Sequence, residues 1–134
     1  MLAGLALGAA APGAVAWAAG AAQVGQYVDL QPVGLPIVDH GQVVNYVFIS
    51  VRLNLSPTAD AARLRDKEPF FRDALVRAGH RTPFGRAGDN NRLDESRISA
   101  ALIRDAASIA GPGAVRSVVV TSQAPQRQVA TPRP

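Results

Sequence analysis

The sequence predicts a single α+β domain, and three observations lead there. The stretch "QVVNYVFISVRLNLS" (42–56) alternates apolar and polar side chains, which is the period of a strand with one buried face. Two later stretches have the apolar spacing of a helix: Phe71, Ala74, Leu75 and Ala78 at i, i+3, i+4 and i+7 inside 57–79, and Ile98, Leu102 and Ile109 inside 93–110. A second alternating run, "AVRSVVVTS" (114–122), closes the pattern. The predicted order is β-β-α-α-β, with one long antiparallel strand and two helices packed on the sheet. A chain of 134 residues suits one such domain, and there is no internal repeat.

Each element follows from local chemistry. "YVDLQPVGLPIVD" (27–39) is extended in character, but Pro32 and Pro36 cannot donate to a ladder on both sides. It is therefore expected as an irregular edge strand. Asp39-His40-Gly41 reads as a turn. In the long strand, Val47, Ile49, Val51, Leu53 and Leu55 share one face. Tyr46, Phe48, Ser50, Arg52 and Asn54 share the other. Ser56 is expected as the N-cap of the next helix, with Pro57 in its first position.

That helix carries Ala61, Leu64, Phe71, Ala74, Leu75 and Ala78 as its apolar stripe. Pro69 interrupts it, so either one helix kinks there or two helices meet. Gly79 is the expected stop. "HRTPFGRAGDNNR" (80–92) reads as a polar loop. The next helix runs from about Leu93 to Ala110, with Asp94 and Glu95 at its positive end and Ile98, Leu102 and Ile109 inward. Gly111-Pro112-Gly113 ends it. The domain is expected to span 27–123, with 124–134, rich in Pro and polar residues, as a disordered tail.

The opening segment, "MLAGLALGAAAPGAVAWAAGAAQ", has no charge, and no charged side chain precedes Asp29. Residues 1–22 read as an export signal: an apolar centre, a Pro-Gly break, then small residues in A-x-A spacing. The apolar part is similar to that of a twin-arginine signal, whose Arg pair would lie upstream of Met1. The alternative is a weak membrane anchor, since the length would cross a bilayer but Ala and Gly contribute little to insertion. The expected location is the periplasm, or the inner membrane with a periplasmic domain if the segment is retained.

Composition narrows the function classes. The net charge is +4, with Lys67 the only lysine among 14 basic residues. The arginines are spread singly and mostly near an acid, unlike the clusters that neutralise phosphates, so no nucleic-acid partner is expected. With no cysteine, disulfides, thiolate metal sites and Cys nucleophiles are excluded. His40 and His80 lie far apart without metal-ligand spacing. Ser56, His80 and Asp94 lack a nucleophile elbow. "GRAGDNNR" (85–92) lacks the G-K-[ST] of a phosphate loop and the acidic alternation of a Ca²⁺ loop. Glu68 and Asp73 sit among Arg65, Arg72 and Arg77, which predicts i,i+4 ion pairs rather than acid–base work. No catalytic residue, cofactor or metal is expected.

The succession "YVDLQPVGLPIV", "GQVVNYVFISVRLNLS", "PFFRDALVRAG", "LDESRISAALIRDAASI" and "VRSVVVTSQAPQ" resembles the periplasmic domain of the flagellar basal-body protein family FliL. The resemblance spans about 27–126 and is one of pattern, without a short diagnostic motif. It implies a stomatin-like (SPFH) fold and a non-enzymatic role through protein contacts, with flagellar motor components or copies of itself as partners. Members of that family keep an N-terminal membrane helix, whereas this leader reads as cleavable. The residues themselves nominate a binding surface: the strand face with Tyr46, Phe48 and Arg52, or the edge with Pro32 and Pro36. The alternative function is a small periplasmic ligand-binding domain or enzyme, with a pocket around Phe84 and His80.

Overall fold

The computed structural model describes residues 25–128. The leader 1–22 and residues 129–134 of the expected tail lie outside them. The fold is α+β, as expected: an antiparallel sheet with helices on one face. Strands β1 (Tyr27–Asp29), β2 (Val33–Asp39) and β3 (Gln42–Leu55) come first. Helices α1 (Ala61–Asp66) and α2 (Glu68–Arg81) follow, then a small hairpin of β4 (Gly85–Arg86) and β5 (Asp89–Leu93). Helix α3 (Glu95–Ala110) and strand β6 (Val115–Pro125) complete it.

Strand β3 is the spine. One of its edges carries β1 and β2 end to end, with Asp29 opposite Arg52 and Val33 opposite Ile49. The other edge carries β6, from Val47 opposite Pro125 to Leu55 opposite Val115. The expected edge strand is thus one strand broken at Gln31-Pro32. The break has a partner of its own: the Gln31 N–H donates to the Glu68 carboxylate at 2.8 Å. Glu68 also takes a fork from Arg72, at 3.0 and 3.1 Å, which is the expected i,i+4 pair. Asp73 and Arg77 make the other, at 3.0 Å.

The core forms where the odd-numbered face of β3 meets the helices. Val47, Ile49, Val51, Leu53 and Leu55 are all buried, as are Phe71 and Leu75 of α2 and Ile98 and Leu102 of α3. This is the two-layer solution for a sheet with one apolar face.

Several local expectations are corrected. Ser56 does not cap a helix. Its carbonyl and hydroxyl hold a turn through Ala59 and Thr58, and the helix starts later, where the Asp60 carboxylate accepts from the Arg63 N–H at 3.1 Å. At Pro69 two helices meet: α1 ends at Asp66, and Pro69 occupies the first turn of α2. Gly79 does not stop α2. It is buried inside the helix, which runs on to Arg81 and takes His80 into its last turn. The expected loop 80–92 folds into the β4–β5 hairpin, which runs on to Leu93, so α3 starts at Glu95 behind its Asp94 cap rather than at Leu93. The closing strand extends past the expected tail boundary. Ala124 and Pro125 pair with Phe48 and Val47, and the Gln126 N–H donates to the Tyr46 carbonyl at 2.7 Å. A tail therefore cannot begin at 124.

Candidate functional site

A sheet with helices on one face must leave the other face to solvent or to a partner. Here the outer face of β3 presents Tyr46, Phe48, Ser50, Arg52 and Asn54 in that order, because side chains alternate along a strand. Its two ends differ in chemistry.

The end nearest the β2–β3 turn is apolar. Tyr46 is 37% exposed and Phe48 45% exposed, two residues apart on one strand. Pro36 stands opposite Tyr46, and Gly34 opposite Phe48. The Phe48 ring lies against Gly34, close enough that a Cβ there would sit 3.0 Å from the ring edge. Ala124 of β6 flanks Phe48 on the other side. Val38 is exposed at the end of β2. An aromatic pair of this kind is large apolar area held at fixed geometry, which is how aromatics contribute to interfaces.

The other end carries the polar groups, which are internally committed, with Val119 exposed opposite Arg52. Arg52 forks onto Asp29, with Nε to Oδ1 at 2.8 Å and Nη2 to Oδ2 at 3.1 Å. Its guanidinium also stacks 3.9 Å from the centre of the Tyr27 ring, a cation–π contact. The hydrogen bond from Arg52 holds the Asp29 carboxyl below its usual range, and the same bond raises the Arg52 guanidinium. Asn54 donates to the Ser117 hydroxyl at 2.9 Å. The candidate trio is thus on one face, as expected, but Arg52 serves β1. Tyr46 and Phe48 are the members whose surface is uncommitted. Of the two prolines of the edge alternative, Pro36 is buried on this face beside Tyr46 and Pro32 is exposed at the strand break.

The apolar end is held rigid by a residue that sequence reasoning missed. Asn45 is buried on the core side of β3, and its amide donates to the carbonyls of Asn90 and Arg127, at 2.8 and 2.9 Å. It joins the spine, the hairpin and the end of the closing strand. Gln123 does a related job: its amide pairs with the Leu93 backbone like a strand neighbour, accepting at 2.8 Å and donating at 3.1 Å. The available signal was Asn45 itself, a polar residue in phase with the apolar face of the long strand.

The remaining candidates are apart from one another. Phe84 is a core residue packed near Gly79, and His80 is exposed with Nδ1 2.9 Å from the Val76 carbonyl, so the two do not line a common pocket. Ser56 is bound into its turn. Asp94 caps α3, where bonds from the Ser96 hydroxyl and the Arg97 N–H lower its carboxyl. No cluster of His, Cys, Asp and Glu that could hold a metal occurs among the described residues. No helix among them is long and apolar enough to cross a membrane. The chain matches no family model, no curated protein and no solved structure.

Proposed function

We propose that this chain is a non-enzymatic, exported interaction domain that docks a protein partner on the apolar end of its uncovered sheet face. The single observation behind this reading is the Tyr46–Phe48 pair: two aromatics side by side in solvent, on the spine strand, braced from behind by the core. Antiparallel sheets commonly turn one face to water, but that face is then polar. Here the polar side chains gather at the Arg52 end, and Tyr46 and Phe48 hold the other.

Export rests on the uncharged leader with its small-residue spacing, and the flagellar basal body on the resemblance of element order to the FliL family. The partner in this reading is a motor component, and self-association is the second form the same surface would support. The test uses the full chain in a flagellated host. The double substitution Tyr46→Ser, Phe48→Ser removes the aromatic surface and costs about 1 kcal/mol of cross-strand packing. It should abolish co-purification with isolated basal bodies while the protein stays folded and exported. If the parent chain is absent from basal bodies, the flagellar assignment fails. If the double variant loses only stability and still co-purifies, the docking face is elsewhere.

A further inference from the structure

The arginines that are scattered along the sequence are not scattered in space. Helices α2 and α3 run antiparallel, so the end of α2 lies beside the first half of α3. This brings Arg81, Arg97 and Arg104 to the rim of one open groove of about 310 Å³. Its floor is apolar, from Ala78, Ala100 and Ala101 with the Phe84 ring, and Thr82 completes the lining. No acid lines it.

The three arginines differ in a useful way. Arg97 is fixed, with its guanidinium donating to the carbonyls of Gly85 and Pro83 at 3.2 Å each. Arg81 and Arg104 are exposed, and neither makes an ion pair or side-chain hydrogen bond among the described residues. Asp105, next in sequence to Arg104, lines the neighbouring depression with Arg77 and Arg81 and forms no ion pair there. Two uncompensated guanidinium groups beside an anchored one leave a local positive field with five-donor forks free to meet carboxylates.

We infer that this groove is a second docking site, which takes an acidic peptide segment of a protein partner: carboxylates on the arginine rim, a small apolar side chain on the floor of alanines and Phe84. The groove is open rather than enclosed, which suits an extended segment better than a small molecule, whose sites bury most of the ligand. Arginine clusters are a recurring device for recognising acidic motifs. The site lies on the helix side of the molecule, opposite Tyr46 and Phe48, so it stands or falls independently of the sheet-face proposal.

The test is a fluorescence-anisotropy titration of the full chain with a labelled peptide of Glu and Ala, its Gln-and-Ala counterpart, and inorganic phosphate as competitor. The Glu peptide should bind, the Gln peptide should not, and affinity should fall with salt. Arg81→Glu with Arg104→Glu should weaken binding by roughly tenfold or more, because each substitution turns an attraction for the peptide's carboxylates into a repulsion. Arg81→Gln with Arg104→Gln should weaken it less and stay close to the parent melting temperature, since neither side chain has an ion-pair partner to lose, whereas the Glu pair should melt slightly lower because Arg81 lies in the last turn of α2, at the negative end of the helix dipole. Arg63→Glu with Arg116→Glu, the same charge change elsewhere on the surface, should leave binding within about twofold. Equal loss in that control would reduce the effect to net charge and overturn the proposal. So would absence of Glu-peptide binding, or displacement of the peptide by phosphate at matching concentration, which would mark a small-anion site.

Discussion

Gly79 shows how one missing Cβ can mislead. Glycine near the end of a helical pattern usually marks its stop, but here the helix continues and Gly79 faces inward. A Cβ at Gly79 would lie 3.0 Å from a terminal methyl of Leu35, itself wholly buried, so that methyl would have to shift by a few tenths of an ångström within a packed core. Gly79→Ala should therefore destabilise the protein, although alanine gains about 1 kcal/mol of helix propensity. Chemical unfolding of the two proteins would read the sign; a more stable variant would show that Leu35 has room to move. Asp29 is a residue whose effect depends on pH. Its folded carboxyl sits below the ordinary range because Arg52 donates to it. Its contribution to stability is therefore present above the unfolded carboxylate range, about pH 4, and is lost as pH falls through the lowered folded value. Both partners are largely exposed, so water and salt keep the effect at the modest scale of a surface pair. Asp29→Asn should lose less melting temperature than the parent between neutral and acid pH. A parallel fall in both would remove Asp29 from the acid response.

At the scale of elements, the helix starts were the least legible feature. Ser56-Pro57 has the composition of a helix entry, yet Ser56 lies next to β3 and its N–H donates to Ala114. The chain must first turn off the sheet, and only at Asp60 is it free to wind. The two caps can be separated experimentally. Asp60→Ala should cost about 1 kcal/mol, as the loss of an N-cap does, while Ser56→Ala should cost a few tenths. Urea midpoints would rank them, and the reverse order would return the cap to Ser56. The junction of α1 and α2 has a similar tertiary element. Lys67, the only lysine, reaches across from it to the Ile109 carbonyl at 3.1 Å, satisfying an acceptor at the end of α3.

For the molecule as a whole, the closing strand decides stability at the docking end. Residues 124–127 have little apolar content, which is why they read as tail. Their value lies in backbone pairing with β3 and in the Asn45 amide, neither of which hydropathy registers. A chain ended after Gln123 should melt several degrees below one ended after Gln128, because it strips the pairing from Val47 and Phe48 and leaves the Asn45 donors without Arg127. Equal melting temperatures would restore the earlier boundary. The truncated chain also offers a second check on the sheet face, since Tyr46 and Phe48 would then stand on an unsupported strand.

The sequence by itself determined the α+β class, the spine strand with its two faces, and the inward residues of each helix. Those depend on periodicity, and periodicity is a local property that solvent enforces on every amphipathic element. It also placed Tyr46, Phe48 and Arg52 on one face. The tertiary structure alone decided which of the three is spoken for, where helix and strand end, and which lone arginines become neighbours. Each of those depends on groups far apart in the chain: Arg52 on Asp29, Asn45 on Arg127, Gly79 on Leu35, Arg81 on Arg104. Spacing along a chain cannot encode such pairs, because they exist only once the core has folded and fixed which surfaces meet.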